Sequence, residues 1–600
     1  MLNIRIIYIC CLILTFASCK MKDEITCYGG SDSDLVQLLE KEGYTLKFYP
    51  SVSEALQNAP EKSGVLLLSD SYPVKGTSIS QEDESLIEAK SLRVLVEFPQ
   101  RIGTTDSSKS DTLNLERIVV CDSINTELPF MSLLSFNRCI LKETSDSINH
   151  PILVAAKVAG FDKAVYGLKD TETRPVLYYR TPHLLVSTTC ISHFASDRYM
   201  PEQKIKSLYE YIFRWLLSKN TVTFSSWITY ITPSYTPSDV LPENAGYESI
   251  KKGIEWFYNG HFLVNSEWKQ NWVDKYMGDG TMPIGPSIPD QFQNGDGSLG
   301  VLEGHMSEIR YDGSQLYRYW MRADVQGEAS YAFAAAGDLL ENNEYSKVAT
   351  NLIDYSFKEY RDSERNDPAS PSYGLLGWAY THKGTYYGDD NARFLLGVIA
   401  SSALLNDTEW DKKIAEGIIG NFRTTGINGF RGGSLLDTDI QKRGWKSFYD
   451  NNTVNLHAHF EAWNWACYLW LYNQTQYEPL LERSKKALSM MMASYPEQWS
   501  WTNGIQQERA RMILPLAWLY RVEPTEEHLK WLHYMTNELL KNQVTCGGIR
   551  EELGDESKSS FGHSPSNEAY GSTEASLIFD NGDPVADMLY TTNFAFVGLC

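Results

Sequence analysis

Residues 324–360 read DVQGEASYAFAAAGDLLENNEYSKVATNLIDYSFKEY. Two stretches of helix formers, with apolar residues three and four apart, flank the polar triplet Glu341-Asn342-Asn343. A turn that short makes the two helices antiparallel neighbours. The first is the more apolar, with Phe333-Ala334-Ala335-Ala336 at its middle, so it is expected to be the inner helix of the pair.

The same form recurs down the chain. Helical patterns at 390–405 and 409–423 flank a turn at 406–408; patterns at 455–472 and 476–495 flank 473–475; patterns at 505–520 and 525–542 flank 521–524. A further helix is expected at 247–263 and another from about Tyr590. Long loops rich in Gly and aromatics join successive pairs, all on one side of the array, where a functional site is expected. Left open, such an array is a partner-binding solenoid; closed, it is an (α/α) toroid with a cavity at the loop end. The loops carry Trp378, Tyr380, Tyr386, Tyr387, Trp445, Tyr449, Trp499 and Trp501 among carboxylates and amides. Aromatic faces stack on the C–H faces of sugar rings and carboxylates bind hydroxyls, so the combination favours a carbohydrate cleft.

Upstream, residues 25–225 alternate short β-rich runs with helical patterns. The run Gly64-Val65-Leu66-Leu67-Leu68 and the run Leu92-Arg93-Val94-Leu95-Val96 read as buried strands. Strand–helix alternation predicts a parallel sheet with helices on both faces. The order resembles class I glutamine-amidotransferase-like, flavodoxin-like domains. Cys190, in Ser187-Thr188-Thr189-Cys190-Ile191-Ser192-His193, is a candidate nucleophile with His193 or His183 as base. The family's Gly-x-Cys-x-Gly elbow is absent, so a buried thiol and an accessory role for the domain are expected.

The division shows in composition, since 14 of the 16 Trp follow residue 250. At roughly 150 residues per domain, 600 residues leave room for two larger domains. The 54 basic and 76 acidic side chains give a net charge of −22. That balance excludes a general nucleic-acid binder and disfavours an anionic membrane surface or densely sulfated polymer as partner.

The N-terminus reads as an export signal over residues 1–18: Arg5, then the apolar run from Ile6 to Leu14, too short to span a bilayer. Phe16-Ala17-Ser18-Cys19 resembles a bacterial lipobox, which implies lipidation of Cys19 and a charged tether at 19–24. The expected location is a bacterial outer membrane, on its periplasmic or cell-surface side, with the membrane met only through the lipid. Seven cysteines follow Cys19, an odd number in no zinc-type spacing. One or two disulfides are compatible with export, and most of these thiols are expected in the core.

A further resemblance lies in the helical half. Arg322-Ala323-Asp324-Val325-Gln326-Gly327-Glu328, with Phe579-Asp580-Asn581-Gly582-Asp583-Pro584 leading into Tyr590-Thr591-Thr592-Asn593-Phe594-Ala595, resembles bacterial six-hairpin glycosidases. That group includes unsaturated glucuronyl hydrolases and exo-acting enzymes on uronic acid or related sugars. The likeness covers residues 240–600 in architecture and these motifs in sequence. It implies an (α/α)6 toroid that cleaves glycosides; apart from the resemblance, no cofactor is expected, and the cysteine spacings give no case for a structural metal. The last helix meets the end of the sequence without a hairpin partner, so an incomplete toroid or a truncated chain is expected.

Glycoside hydrolysis needs two carboxyl groups, one acid and one base or nucleophile. Asp324 and Glu328, four apart at a helix start, can both face a cavity, and the helix N-terminus favours their ionised forms. Glu551 and Glu552 lie between glycines in Gly547-Gly548-Ile549-Arg550-Glu551-Glu552-Leu553-Gly554. Asp324 and Glu552 lead as catalytic candidates, followed by Glu551 and Glu328. Expected substrate contacts are Glu303, His305, Arg322, Trp378, Trp445, His457, Trp501, Asp580 and Asp583. His457 and His459 diverge on a helix, so at most one should face the ligand. The alternative chemistry is a polysaccharide lyase using Asn455, His457, Tyr449 and Arg443; a third reading is a non-catalytic glycan-binding lipoprotein.

Overall fold

The computed structural model describes residues 24–599 except 108, 137, 145–147, 149, 231–233, 237, 311, 313, 546 and 573–587. Cys19, Asp580 and Asp583 therefore lie outside the described residues. The chain forms two units: one of Met1–Pro233 with Glu308–Ser314 and Ser564–Ser572, the other holding the rest. No helix among the described residues is long and apolar enough to cross a membrane.

The first unit is built on a nine-stranded sheet. Its strands are β1 (Glu24–Tyr28), β2 (Thr45–Phe48), β3 (Gly64–Leu67), β4 (Arg93–Glu97), β5 (Arg117–Val120), β6 (Leu133–Leu134), β7 (Leu153–Ala156), β8 (Thr173–Thr181) and β9 (Leu184–Ser187), ordered β6-β5-β7-β8-β9-β4-β3-β1-β2. The five strands from β2 to β9 are parallel, as the alternation of strands and helices predicts. The remaining four join antiparallel, so the sheet is mixed. The cause is local: β8 and β9 are separated by a tight turn at residues 182–183, too short for the crossover a parallel pair needs.

Side-chain alternation puts the register row Cys27, Leu66, Leu95 and Leu185 into one core and the row Val65, Val94 and Leu184 into the core on the opposite face. Both faces are thus apolar, and helices α1 (Asp34–Lys41), α2 (Val52–Asn58), α3 (Gln81–Ala89) and α4 (Glu202–Leu216) supply the covering residues. The segment Ser564–Ser572 packs into this unit through Asn567, which accepts from Ala159 N at 3.0 Å and donates to Gly167 O at 2.9 Å.

The second unit is helical. After α5 (Ala245–Asn259) come four helix pairs: α6 (Ala323–Leu339) with α7 (Asn343–Glu359), α8 (Gly388–Leu405) with α9 (Asp411–Arg423), α10 (Ala458–Thr475) with α11 (Glu478–Ser494), and α12 (Ile505–Val522) with α13 (Glu526–Leu540). A short helix, α14 (Phe594–Leu599), packs on α12. The first helices touch in the order α6, α8, α10, α12, so they form the inner layer, as their apolar composition predicts.

Glycine sets the α6–α8 spacing. A Cβ on Gly397 would lie 2.3 Å from Gly327 O, and one on Gly327 would lie 2.5 Å from Phe394 Cα. Ser330 and Ser401 hydrogen-bond one turn further on, at 3.2 Å. These contacts run in the same order along both helices, so α6 and α8 are parallel and their N-termini share one end.

Candidate active site

Three inner helices begin with a small residue followed by polar ones, Ala323-Asp324, Gly388-Asp389-Asp390 and Ala458-His459; the fourth has Gly504 as its cap and Gln506-Gln507-Glu508 in its first turn. The small residue lets backbones approach; a Cβ on Gly388 would lie 2.7 Å from Asn464 Nδ2 and 2.8 Å from Phe460 O. The polar residues behind it then meet across the inner layer.

Asp324, 1% exposed, is held by two guanidinium groups: Arg322 Nη2 at 2.7 Å and Arg393 Nη1 at 2.6 Å. The same Arg322 Nη2 donates to Asp390 Oδ1 at 2.8 Å, which places the two carboxyl groups side by side. Their protonation states separate. For Asp324, burial alone would raise the pKa, but Arg393 and Arg322 outweigh it and hold the group below the ordinary range. Asp390 is driven well above that range by burial and by the charges of Asp324 and Asp389. Burial and the surrounding charges thus drive the two neighbouring carboxyls in opposite directions.

Beside this pair, Asp389 faces His459 Nε2 at 3.3 Å. Its pKa is depressed because the His459 hydrogen bond and Arg393 overcome burial. Burial and Arg511 lower the pKa of His459, whose Nε2 faces the carboxylate. A second couple sits alongside: His457 Nε2 is 3.5 Å from Glu508 Oε1, and Glu508 also accepts from His459 N. Both histidines therefore join the cluster, where helical spacing allowed one. The reason is that His457 is the extended cap residue of α10 (φ −125°, ψ 93°), so it is not on the helix at all.

The remaining expected residues fall into three groups. Arg322 and Glu303 belong to the cluster, with Arg322 Nη1 3.2 Å from Glu303, and Glu328 closes it with two bonds to Arg393 at 2.7 and 2.8 Å. Trp378 stands beside it, half-buried, in edge-to-face contact with Trp320 and Tyr387 at 4.9 and 5.0 Å. His305 packs among Trp256, Phe262 and Tyr317, and burial lowers its pKa. Trp445 lies under Arg423, and Trp501, 2% exposed, is core and presents no face to a ligand.

Glu551 and Glu552 sit elsewhere, lining a cleft of about 690 Å³. Glu551 caps α12 by accepting from Gln506 N at 3.1 Å, and Glu552 pairs with Arg509 Nη1 at 2.5 Å. The four lyase candidates hold four different partners. Asn455 donates to Glu461, Tyr449 lies under Arg483, Arg443 stacks on Phe448 and His457 meets Glu508.

Sequence reading missed Asp389, Asp390, Arg393, Glu508 and Arg511. A signal existed for the first two: Gly388-Asp389-Asp390 repeats, one inner helix later, the small-acid start of Ala323-Asp324.

In the first unit, Cys190 is fully buried, its Sγ 3.6 Å from Glu97 Oε1, and burial and Glu97 push its thiol well up. Glu97 in turn accepts from Ser69 N, Ile191 N and Ser192 N, each at 2.9 Å. His183 lies before β9 and faces Glu88, away from the strand end that carries Cys190. Full burial and a raised pKa make Cys190 a core thiol. Cys27, Cys121, Cys139, Cys190 and Cys467 are all free thiols.

No protein-family profile and no curated protein matches this chain. Among solved structures, a D-mannose isomerase is similar at 10% identity and a TM-score of 0.34, over 48% of this chain and 73% of that one. A family 76 glycoside hydrolase from a bovine Bacteroides thetaiotaomicron strain is similar at 10% identity and TM-score 0.33, over 47% of this chain and 56% of that one. The unsaturated glucuronyl hydrolase of Bacillus sp. GL1 is similar at 12% identity and TM-score 0.28, over 40% of this chain and 69% of that one.

Proposed function

We propose that the helical unit is an (α/α)6-type glycan-processing enzyme that hydrolyses glycosidic bonds, and that the flavodoxin-like first unit is accessory. The observation that supports this reading is Asp390, whose pKa is raised by burial and by the charges of Asp324 and Asp389, as a general acid at a glycosidic oxygen requires, beside Asp324, whose pKa Arg393 and Arg322 lower. Asp390 would protonate the leaving oxygen, and the charge left behind would stay against Arg322 Nη2. Asp389, beside His459, would serve the water or the anomeric carbon. Trp378 and Tyr387 would stack on the sugar.

A second reading has its own support in the His459–Asp389 and His457–Glu508 couples, which suit abstraction of a carbon-bound proton, as in a lyase. We further propose that the substrate is a complex glycan met outside the inner membrane, cleaved from its end at an acidic or decorated sugar, by a protein anchored through Cys19. The deciding experiment is incubation with a panel of oligosaccharides, read by mass and ultraviolet absorbance. Terminal monosaccharide release without absorbance fits exo-hydrolysis; an absorbing unsaturated product would establish the lyase instead. Release of mixed internal oligomers would refute exo action.

A further inference from the structure

The cleft that holds Glu551 and Glu552 is not explained by the Asp390–Asp324 chemistry. It lies on the other flank of the first turn of α12: Glu508 turns toward His457 and His459, while its neighbour Arg509 turns into the cleft. At about 690 Å³ it has the size of a small-molecule site. Its walls, among the described residues, carry no Phe, Tyr or Trp side chain.

What lines it is a set of alternating ion pairs. Arg509 meets Glu552 at 2.5 Å, His563 Nδ1 meets Glu556 at 2.7 Å, and Lys541 meets Glu538. Arg550 completes the wall, and among the described residues it is paired with no carboxylate. Each ion pair sets hydrogen-bond donors beside acceptors, and a hydroxyl group is both. A row of hydroxyls can therefore bind along this wall, and no net charge is demanded of the ligand. An anion is disfavoured, because the glutamates outnumber the Arg and Lys side chains four to three: Glu538, Glu551, Glu552 and Glu556 against Arg509, Lys541 and Arg550.

We propose that this cleft is a second carbohydrate site, which recognises a neutral sugar of about two residues through its hydroxyls, with Arg550 as the uncommitted donor. The proposal goes beyond the hydrolase reading and does not depend on it.

The test is saturation-transfer NMR and titration calorimetry of the full chain with neutral gluco-, manno-, galacto- and xylo-configured disaccharides. Inorganic phosphate and glucuronate serve as anionic probes. At least one neutral disaccharide should bind, changing Kd by less than about twofold between low and moderate salt, since no charge is neutralised. Arg550→Ala should weaken it at least tenfold, and Asp390→Asn should leave it unchanged. Arg550→Lys and Asn542→Ala provide second variants should Arg550→Ala not fold. The proposal is overturned if no neutral disaccharide binds, if binding ignores the cleft variants, or if it is lost in Asp390→Asn. It is equally overturned if phosphate or glucuronate binds in preference and salt abolishes the binding. None of these outcomes bears on whether the Asp390–Asp324 pair cleaves a glycoside.

Discussion

Asp390→Asn isolates the acid on which the proposed chemistry depends. The substitution is near-isosteric, and its carbonyl oxygen can accept the 2.8 Å bond from Arg322 Nη2. Asp390 is raised well above the ordinary carboxylate range by burial, Asp324 and Asp389, so the folded protein holds a proton there that the unfolded chain has lost. The sign follows. Below the unfolded pKa both states are protonated; above it, the wild type loses stability as pH rises toward the folded pKa. The loss is about 1.4 kcal/mol per pH unit in the window between the unfolded and folded pKa. Asparagine does not titrate. Urea midpoints taken at half-unit steps should therefore show the variant gaining on the wild type as pH rises. On a confirmed glycan, the same variant should lose about 10²–10⁴-fold in kcat, the usual share of a general acid. Parallel stability curves would mean that Asp390 is ionised in the folded protein. A kcat within tenfold of wild type would mean that it is not the acid.

Asp324→Asn removes a carboxylate bonded to Arg322 and Arg393 at 2.7 and 2.6 Å; since these keep Glu303 and Glu328, it should destabilise by about 1–3 kcal/mol in urea denaturation, and no measurable loss would contradict the buried pairing. Gly397→Ala drives a Cβ against Gly327 O, and the overpacking should cost about 1–3 kcal/mol and lower kcat by spreading α6 and α8. An unchanged melting temperature would show that the helices are not in backbone contact there. Cys190 should resist iodoacetamide in the native protein and react once urea unfolds it, with mass spectrometry of the peptide as readout; rapid native labelling would reopen its reading as a nucleophile.

The sequence alone determined the paired helices of the second unit. Apolar residues at helical spacing, cut by Asn- and Asp-rich triplets, placed α6 to α13 within a few residues of their observed ends, because periodicity and turn chemistry are local properties. It also marked Asp324, through a helix start that the chain shows directly. It could not tell that β5, β6 and β7 join antiparallel, since strand direction depends on which neighbour a strand finds. Nor could it pair Asp324 with Asp390, which are 66 positions apart. They meet because Gly327 and Gly397 let two helices touch backbone to backbone. Charge state was equally out of reach: Asp324 and Asp390 are the same residue type at equivalent helix starts, yet one is held ionised by two arginines and the other neutral by its neighbours' charge. Glu551 and Glu552 looked like a catalytic loop because their glycines were visible and their partners, the N-terminus of α12 and Arg509, were not. Trp501 looked like a sugar platform for the same reason. Composition identifies an aromatic, but only packing decides whether its face meets a ligand or the core.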